Sequence, residues 1–252
     1  ARRTAQRFSE ELSGEFSGNG IGMARAVNGG IGKFGWKGQF ASLDDFVASA
    51  CAMELGLSNP VKRQPMAGKH RDDQSAKMDL SRKQLAEISA FIRSLPRPQQ
   101  VLPTNAEARR RVVIGEQLFH ELGCADCHIR DLGSVTGVYS DFHLYNLEDK
   151  FSSQSGYRRV PLDLDFKLPL GPPKPDQWQT PPLWGVADSA PYFHDGGAST
   201  LWDAIMRHHG DAGHSRAAFE QLDSESKSML IEFLDSLRAP QVPSDGSSMA
   251  AE

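Results

Sequence analysis

The hydrophobic positions of this chain recur mainly at helical spacing. Three segments place apolar side chains three and four residues apart: 81–95, 106–123 and 223–238. The first begins with a capping-box pattern, Ser81-x-x-Gln84. Its apolar face consists of Leu85, Ile88, Phe91, Ile92 and Leu95. Since no run alternates in the manner of a strand, we expect a mainly α fold.

The remaining long stretches carry no helical period. Residues 160–182 are rich in proline and predict a long ordered loop rather than a strand or a helix. Residues 241–252 are small and polar, and they predict a disordered tail. The segment 223–238 has Asp223 as its candidate N-cap, directly before its apolar positions begin.

The chain also contains an internal repeat. The apolar pattern of residues 80–99 recurs 142 residues later in 222–241. Upstream of it, the pattern of 38–47 recurs 158 residues later in 196–205. Because both matches occur in the same order along the chain, they indicate a duplicated unit.

Composition and charge exclude several classes of partner. A length of 252 residues allows one large domain or two small ones. With a net charge of −4 and no run of Lys or Arg, the chain has no footprint for nucleic acid. No stretch approaches 18 consecutive apolar residues, so we expect no membrane span. The first residues are polar after Ala1-Arg2-Arg3 and do not match a signal peptide.

Two of the three cysteines carry the strongest chemical signal. Cys124 and Cys127 directly precede His128 in the order Cys-Ala-Asp-Cys-His. Two thiols at this spacing can reach the two vinyl groups of one haem, and the next residue presents its imidazole to the iron. The third cysteine, Cys51, lies in an apolar run and is expected to be a buried small hydrophobe. We therefore predict one covalently attached haem c.

Two other kinds of site use closely spaced cysteines. A zinc site would need two further ligands, and the chain has no second cysteine pair to supply them. A thioredoxin-like dithiol would follow a strand, whereas a predicted helix precedes Cys124. Gly115 and Phe119 in that helix suit a close crossing with the helix predicted at 223–238, as in a cytochrome c domain.

The opposite side of the haem iron either carries a second ligand or deliberately lacks one. The candidates are Met206, His208, His209, His194, His143 and Met229. One helical face contains Leu201, Ala204, Ile205 and His208, at spacings i, i+3, i+4 and i+7. A histidine on an apolar face is usually a satisfied core residue, but a haem in the same domain favours His208 as the ligand. In the first half of the repeat the equivalent residue is Ala50, which cannot bind iron.

Taken together, the motifs resemble the bacterial di-haem cytochrome c peroxidases, and more closely their relatives, the di-haem oxidoreductases sometimes labelled thiol oxidoreductases. The matching stretches are Gly32-Lys-Phe-Gly-Trp36-Lys, Gly123-Cys-Ala-Asp-Cys-His128, Tyr139-Ser-Asp141, Thr180-Pro-Pro-Leu-Trp-Gly185, Pro191-Tyr-Phe-His-Asp-Gly196 and 219–237. Members of that superfamily have two cytochrome c-like domains with one haem each. Their C-terminal haem passes electrons to the N-terminal haem, where peroxide or another oxidant reacts.

The resemblance also assigns roles to single residues. Trp36 resembles the tryptophan that bridges the two haems, although a packing role is equally open. Glu54 falls near the distal carboxylate that acts as general acid and base, although a solvated helix residue is the ordinary alternative. Position 208 corresponds to the distal ligand, which is Met in the peroxidases and commonly His in the relatives. The carbonyls around Ser189 and Pro191 match part of a calcium site.

One departure from the family changes the expected function. Counting back from Trp36, the first haem motif would fall before residue 1, so the first unit's motif is expected to be lost or to lie on another chain. We therefore predict three regions: 1–100 as the remnant of a first cytochrome c-like unit, 101–240 as the cytochrome c-like haem domain, and 241–252 as the tail.

Two functions remain open on these grounds. The chain could be the electron-transfer half of a di-haem peroxidase-like oxidoreductase, which is an enzyme only when a second haem domain is supplied. It could instead be a single-haem electron-transfer or structural subunit of a larger complex. Both functions require a redox partner protein or a second haem domain. Because haem c is attached after export, we expect a periplasmic location.

Overall fold

A computed structural model of the chain describes residues 22–27, 30–64, 78–148 and 174–240. The predicted tail 241–252 lies outside these residues, as does most of the predicted loop 160–182. The described residues form two compact units. The larger unit contains 22–25, 97–148 and 174–240, and the smaller unit contains 26–27, 30–64 and 78–96. The predicted regions 1–100 and 101–240 stay predictions.

Helices dominate the part of the chain that the structure describes, which confirms a mainly α fold. The smaller unit contains α1 (Leu43–Met53) and α2 (Arg82–Ser94). The larger unit contains α3 (Ala106–Glu121), α4 (Leu201–Met206), α5 (Gly213–Gln221) and α6 (Ser224–Asp235). Three short 3₁₀ turns accompany them, at Cys124–Asp126, Val186–Asp188 and Gly210–Ala212. None of the helices in the described ranges is both long enough and apolar enough to cross a membrane.

Seven short strands pair between these helices in the described residues. They are β1 (Met23–Ala24), β2 (Ala26–Val27), β3 (Gly30–Ile31), β4 (Gln99–Gln100), β5 (His143–Asn146), β6 (Gln177–Gln179) and β7 (Leu237–Arg238). The antiparallel pairings are β1–β5–β6, β2–β3 and β4–β7. The loop predicted at 160–182 is therefore wrong at Gln177–Gln179, which pairs with Leu144, Tyr145 and Asn146. A strand of three residues is too short to show an alternating pattern.

The smaller unit has a compact core between α1 and α2. Val47, Ala48, Cys51 and Leu85 are buried together, which confirms the prediction for Cys51. Ser81 and Gln84 form the predicted capping box at the start of α2. The apolar face predicted for α2 is buried only near its beginning, at Leu85. Phe91, near the end of that face, is 65% exposed, because the described residues of this unit cover only the beginning of the helix.

The larger unit is centred on the crossing of α3 and α6, which are the predicted helices 106–123 and 223–238. Asp223 caps α6 as predicted. A Cβ at Gly115 would collide with the backbone carbonyl of Met229 and with Phe233, so only glycine allows this close crossing. Phe119 and Phe233 meet in the resulting core, with their ring centres 5.3 Å apart.

The internal repeat is confirmed by matching local structure. Phe34 pairs with Phe40 in an isolated antiparallel bridge, and Tyr192 pairs with Ala198 in the same way, 158 residues later. The helix that follows each turn has an equivalent N-cap, since Ser42 accepts from the Asp45 amide and Thr200 accepts from the Asp203 amide. We call 34–50 with 81–95 the first copy, and 192–208 with 223–237 the second copy.

Candidate haem site

The two motif cysteines lie in a tight turn directly after α3. Gly123 adopts a left-handed backbone conformation with φ of +79°, which turns the chain out of the helix. The 3₁₀ turn Cys124–Asp126 follows, and the His128 amide donates to the Cys124 carbonyl at 3.0 Å. The motif residues are thus held on one turn, which the core helix α3 anchors.

A backbone carbonyl orients the His128 ring. Nδ1 of His128 lies 3.0 Å from the carbonyl oxygen of Tyr139, whose own side chain is buried in the core. A proton on Nδ1 makes this a donated hydrogen bond and leaves the lone pair on Nε2. Histidines that bind metals are commonly oriented by this kind of bond.

A backbone carbonyl also orients the His208 ring. Its Nδ1 lies 2.8 Å from the carbonyl oxygen of Ala204, one turn back in the chain. α4 ends at Met206, before the predicted position, but the His208 amide still donates to the Ile205 carbonyl at 3.1 Å. This bond continues the turn by two residues and keeps His208 on the face that the sequence predicted.

The rings of His128 and His208 face each other at the spacing of two ligands on one iron. Their centres are 6.5 Å apart, and the rings are inclined by 59°. A metal–imidazole bond of about 2.0–2.1 Å places two rings on opposite sides of one ion about 6 Å apart, centre to centre. The described geometry therefore fits an iron atom between the two side chains.

The other predicted histidines have different surroundings. His194 is buried and stacks on Trp178, with ring centres 3.6 Å apart. His143 is buried with its Nδ1 3.4 Å from a carboxylate oxygen of Asp141. His209 is exposed at the start of a 3₁₀ turn. Of the predicted histidines, only His208 contacts the His128 ring in the described residues.

The protonation of both imidazoles suits metal binding. Burial lowers the pKa of His128 to about 4, and the neighbouring His208 contributes to the same shift. Burial likewise lowers the pKa of His208. Both rings are therefore neutral at neutral pH, which is the form that binds iron.

The thiols are not arranged as metal ligands or as a reactive dithiol. Burial raises the pKa of Cys124 to about 11 and that of Cys127 to about 12. A redox dithiol needs an accessible thiolate, so these raised pKa values oppose that alternative. In the described ranges, moreover, no three His, Cys, Asp or Glu residues cluster closely enough to hold a bare metal ion.

A buried polar cluster that the sequence did not predict lies beside Cys127. The Tyr145 hydroxyl donates to a carboxylate oxygen of Asp141 at 2.7 Å, and it also hydrogen-bonds the Cys127 sulfur. Burial and the Asp141 charge raise the pKa of Tyr145, so the phenol stays protonated. Tyr145 lies on β5, whose pairing with β6 positions it, and no short-range pattern marks that strand.

Four residues were assigned roles only by the resemblance: Trp36, Glu54, Ser189 and Pro191. Trp36, which is 37% exposed, and Glu54, which is the exposed C-cap of α1, belong to the smaller unit, and their roles stay predictions. Ser189 and Pro191 are exposed, and the Ser189 hydroxyl donates to the Gly185 carbonyl at 2.7 Å. Since the described residues contain no carboxylate cluster beside them, a calcium ion there has no support.

Comparisons with known proteins place this site in a wider context. The chain is 27% identical over 150 residues to the hydrazine synthase subunit gamma of Kuenenia stuttgartiensis. The aligned region covers 52% of this chain and 41% of the relative. The chain therefore spans less than half of that relative's length. A solved structure of Kuenenia stuttgartiensis hydrazine synthase, pressurised with 20 bar xenon, matches 64% of this chain and 57% of its own, at 20% identity and a TM-score of 0.41.

The family comparison covers most of the chain. The model for "di-haem oxidoreductase, putative peroxidase" matches residues 24–237, a range that includes the motif turn and His208. We conclude that the chain belongs to the di-haem oxidoreductase family, whose members are haem proteins.

Proposed function

We propose that the chain is a c-type haem electron-transfer protein, the electron-transfer half of a di-haem peroxidase-like oxidoreductase. Cys124 and Cys127 would hold one haem covalently, and His128 and His208 would bind its iron. The observation that carries this proposal is the His128–His208 pair, with ring centres 6.5 Å apart and each Nδ1 on a backbone carbonyl.

The protein residues suit electron transfer better than small-molecule chemistry at this site. When bound, a haem supplies one-electron exchange between ferric and ferrous iron. His128 and His208 would both bind the iron, which would leave no open position for peroxide. Phe119 packs against the His128 ring and Tyr139 packs against Phe119, and both side chains are buried, so they keep water away from this side of His128.

Catalysis on peroxide requires a second haem domain, in the remainder of a longer protein or on a partner chain. Trp36 and Glu54 would then act as electron bridge and as general acid and base. Because haem c is attached after export, the proposal also implies a periplasmic or otherwise exported location.

The alternative function is that of a single-haem electron-transfer or structural subunit of a larger complex. It is favoured by the similarity to a protein that is itself named as a subunit. Under this alternative the partner is another chain of the complex, and Glu54 has no catalytic role.

Covalent attachment is tested by removing the thiols one at a time. Cys124→Ser and Cys127→Ser should abolish or strongly reduce haem that survives denaturing electrophoresis. Cys51→Ser is the control, because Cys51 is a free thiol that lies outside the motif. The haem content of the wild-type chain should be one per polypeptide. Full retention of haem in both motif variants would contradict the proposal.

Peroxide turnover distinguishes the peroxidase-like function from that of a single-haem subunit. The chain alone should exchange electrons with a redox dye yet reduce peroxide poorly. Adding a second haem domain, in cis or as a partner chain, should raise peroxide turnover. Glu54→Gln should then lower that turnover by ~10²–10⁴-fold, the usual scale for losing a general acid or base. If a reconstituted assembly shows no effect of Glu54→Gln, the single-haem subunit is the better description.

A further inference from the structure

The second copy of the repeat has a phenylalanine in a left-handed backbone conformation where the first copy has a glycine. Phe193 has a left-handed conformation with φ of +67°, and the equivalent Gly35 has φ of +81°. Gly196 and Gly38 are likewise both left-handed, so the two turns share one backbone path. An aromatic residue in this region costs free energy that glycine does not. The structure around Phe193 therefore offsets this cost.

The Phe193 ring contacts the two residues at the distal end of the haem site. Its centre lies 5.6 Å from the His208 ring in an edge-to-face arrangement. The Arg207 guanidinium carbon lies 4.2 Å from the centre of the same ring, within cation–π range. The side chain thus packs on His208 and on the residue that precedes it.

An ion pair ties the same segment to the turn. Arg207 donates to both carboxylate oxygens of Asp195, at 2.9 and 3.1 Å. The two side chains are only 15% and 20% exposed, so solvent screens this pair less than a surface pair. Burial opposes ionisation of Asp195, but hydrogen bonds from Arg207 and from the Gly197 amide outweigh it and hold the pKa of Asp195 below its ordinary value.

The first copy lacks the whole arrangement while keeping the backbone. At the positions equivalent to Phe193, Asp195, Arg207 and His208, the first copy has Gly35, Lys37, Ser49 and Ala50. The turn and the N-cap are present in both copies, so these side chains are not needed to form them. The three partner side chains occur only in the copy that has a histidine to hold.

We propose that Phe193, Asp195 and Arg207 are positioning residues that hold His208 on the iron and keep the distal position closed to small ligands. The inference rests on the proposed function, because it needs His208 as the distal ligand. Its consequence is that the strength of the distal bond is set by the turn around Asp195 as well as by the imidazole itself.

Cyanide binding to the ferric holoprotein measures how often the distal position opens. Asp195→Asn removes one charge of the ion pair with little change in shape. Losing a charge-assisted pair should raise the cyanide association rate by about tenfold. Glu232→Gln is the matched control, because Arg111 also donates to both oxygens of Glu232, at 2.8 and 2.9 Å, but in the α3–α6 crossing. Asp195→Glu should restore most of the wild-type rate.

Phe193→Gly distinguishes positioning from simple structural support. Glycine relieves the left-handed strain, which offsets part of the contact energy and chain entropy that the substitution loses, so the melting temperature should change by only a few degrees. The cyanide rate should nevertheless increase, and the reduction potential should change. A residue with only a structural role would leave both of these at their wild-type values. This variant also keeps the test valid if Asp195→Asn fails to retain haem.

His208→Ala separates failure of this inference from failure of the proposed function. It should convert the ferric haem to high spin and bind cyanide faster than any other variant. An unchanged spectrum in His208→Ala would overturn the ligand assignment and the positioning role together. If His208→Ala opens the iron while Asp195→Asn and Phe193→Gly stay within twofold of Glu232→Gln, the positioning role alone is wrong.

Discussion

The two copies of the repeat share their local structure and differ in what covers them. Each has the same bridged turn, and each turn leads into a helix with a hydroxyl N-cap. In the second copy α3 covers α6, and Phe233 is completely buried. In the first copy the equivalent Phe91 is 65% exposed. Local sequence is therefore sufficient to form the turn and the helix. Burial of the helix's phenylalanine depends on a second helix from elsewhere in the chain.

The two copies also differ in whether they provide a candidate iron ligand. The second copy follows the motif turn and provides His208, whereas the first has Ala50 at that position. A histidine becomes a ligand only where a second ligand and a haem attachment site are brought opposite it. The copy with the covered helix is also the copy that provides His208 to this opposed pair.

Truncating the two equivalent phenylalanines should produce the greatest difference in stability. Phe233→Ala should lower the free energy of unfolding by about 3–5 kcal/mol, because it leaves a cavity in the core of the larger unit. Phe91→Ala should lower it by less than about 1 kcal/mol, because most of that ring is already exposed. Denaturant unfolding of both holoproteins measures the difference. Equal losses would show that Phe91 is covered in solution.

The second comparison concerns the ligand positions. His208→Met should raise the reduction potential by on the order of 0.1 V, because a thioether favours ferrous iron more than an imidazole does. Ala50→His is its counterpart in the first copy and should leave the ferric spectrum and the potential unchanged, since the chain has a single Cys-x-x-Cys-His motif. Redox titration with optical detection checks both. A wild-type spectrum with the near-infrared band of Met ligation would transfer the ligand role to another residue.

The N-caps should show a smaller and symmetrical effect. Ser42→Ala and Thr200→Ala each remove a side chain that accepts from a helix amide, at 3.1 and 3.0 Å. Each should cost about 1 kcal/mol of stability. Thermal unfolding of the two variants should therefore give similar shifts. A much larger loss for Thr200→Ala would mean that the start of α4 also supports the ligand segment.

The smallest effect is expected for the ion pair of the first copy. Arg93 donates to Asp44 at 2.7 Å, but both side chains are more than half exposed. Asp44→Asn should cost less than ~0.5 kcal/mol, since water and salt screen such a pair. The hydrogen bond from Arg93 lowers the pKa of Asp44, so its contribution is full at neutral pH and is lost only as acidification protonates the carboxylate. Urea unfolding at low and high salt checks this, and a salt-independent loss above 1 kcal/mol would contradict it.

Much of this protein can be predicted where the signal is short-range. The capping box at Ser81, the N-cap at Asp223 and the glycine at the α3–α6 crossing all follow from neighbouring residue types. The strand Gln177–Gln179 could not be predicted, since its three residues are defined by pairing with β5. The outward position of Phe91 was missed for a related reason: an apolar helical face predicts a partner without showing that one is present.

At the site, the motif Cys124-Ala-Asp-Cys-His128 and a helical face that ends in His208 are visible in the sequence alone. Only the tertiary structure decided which histidine faces His128, because that distance depends on packing between segments 80 residues apart. It also decided that His194 stacks on Trp178 instead, since an isolated histidine looks the same in sequence in either role. Spacing along the chain determines which groups are available, and long-range packing determines which of them meet.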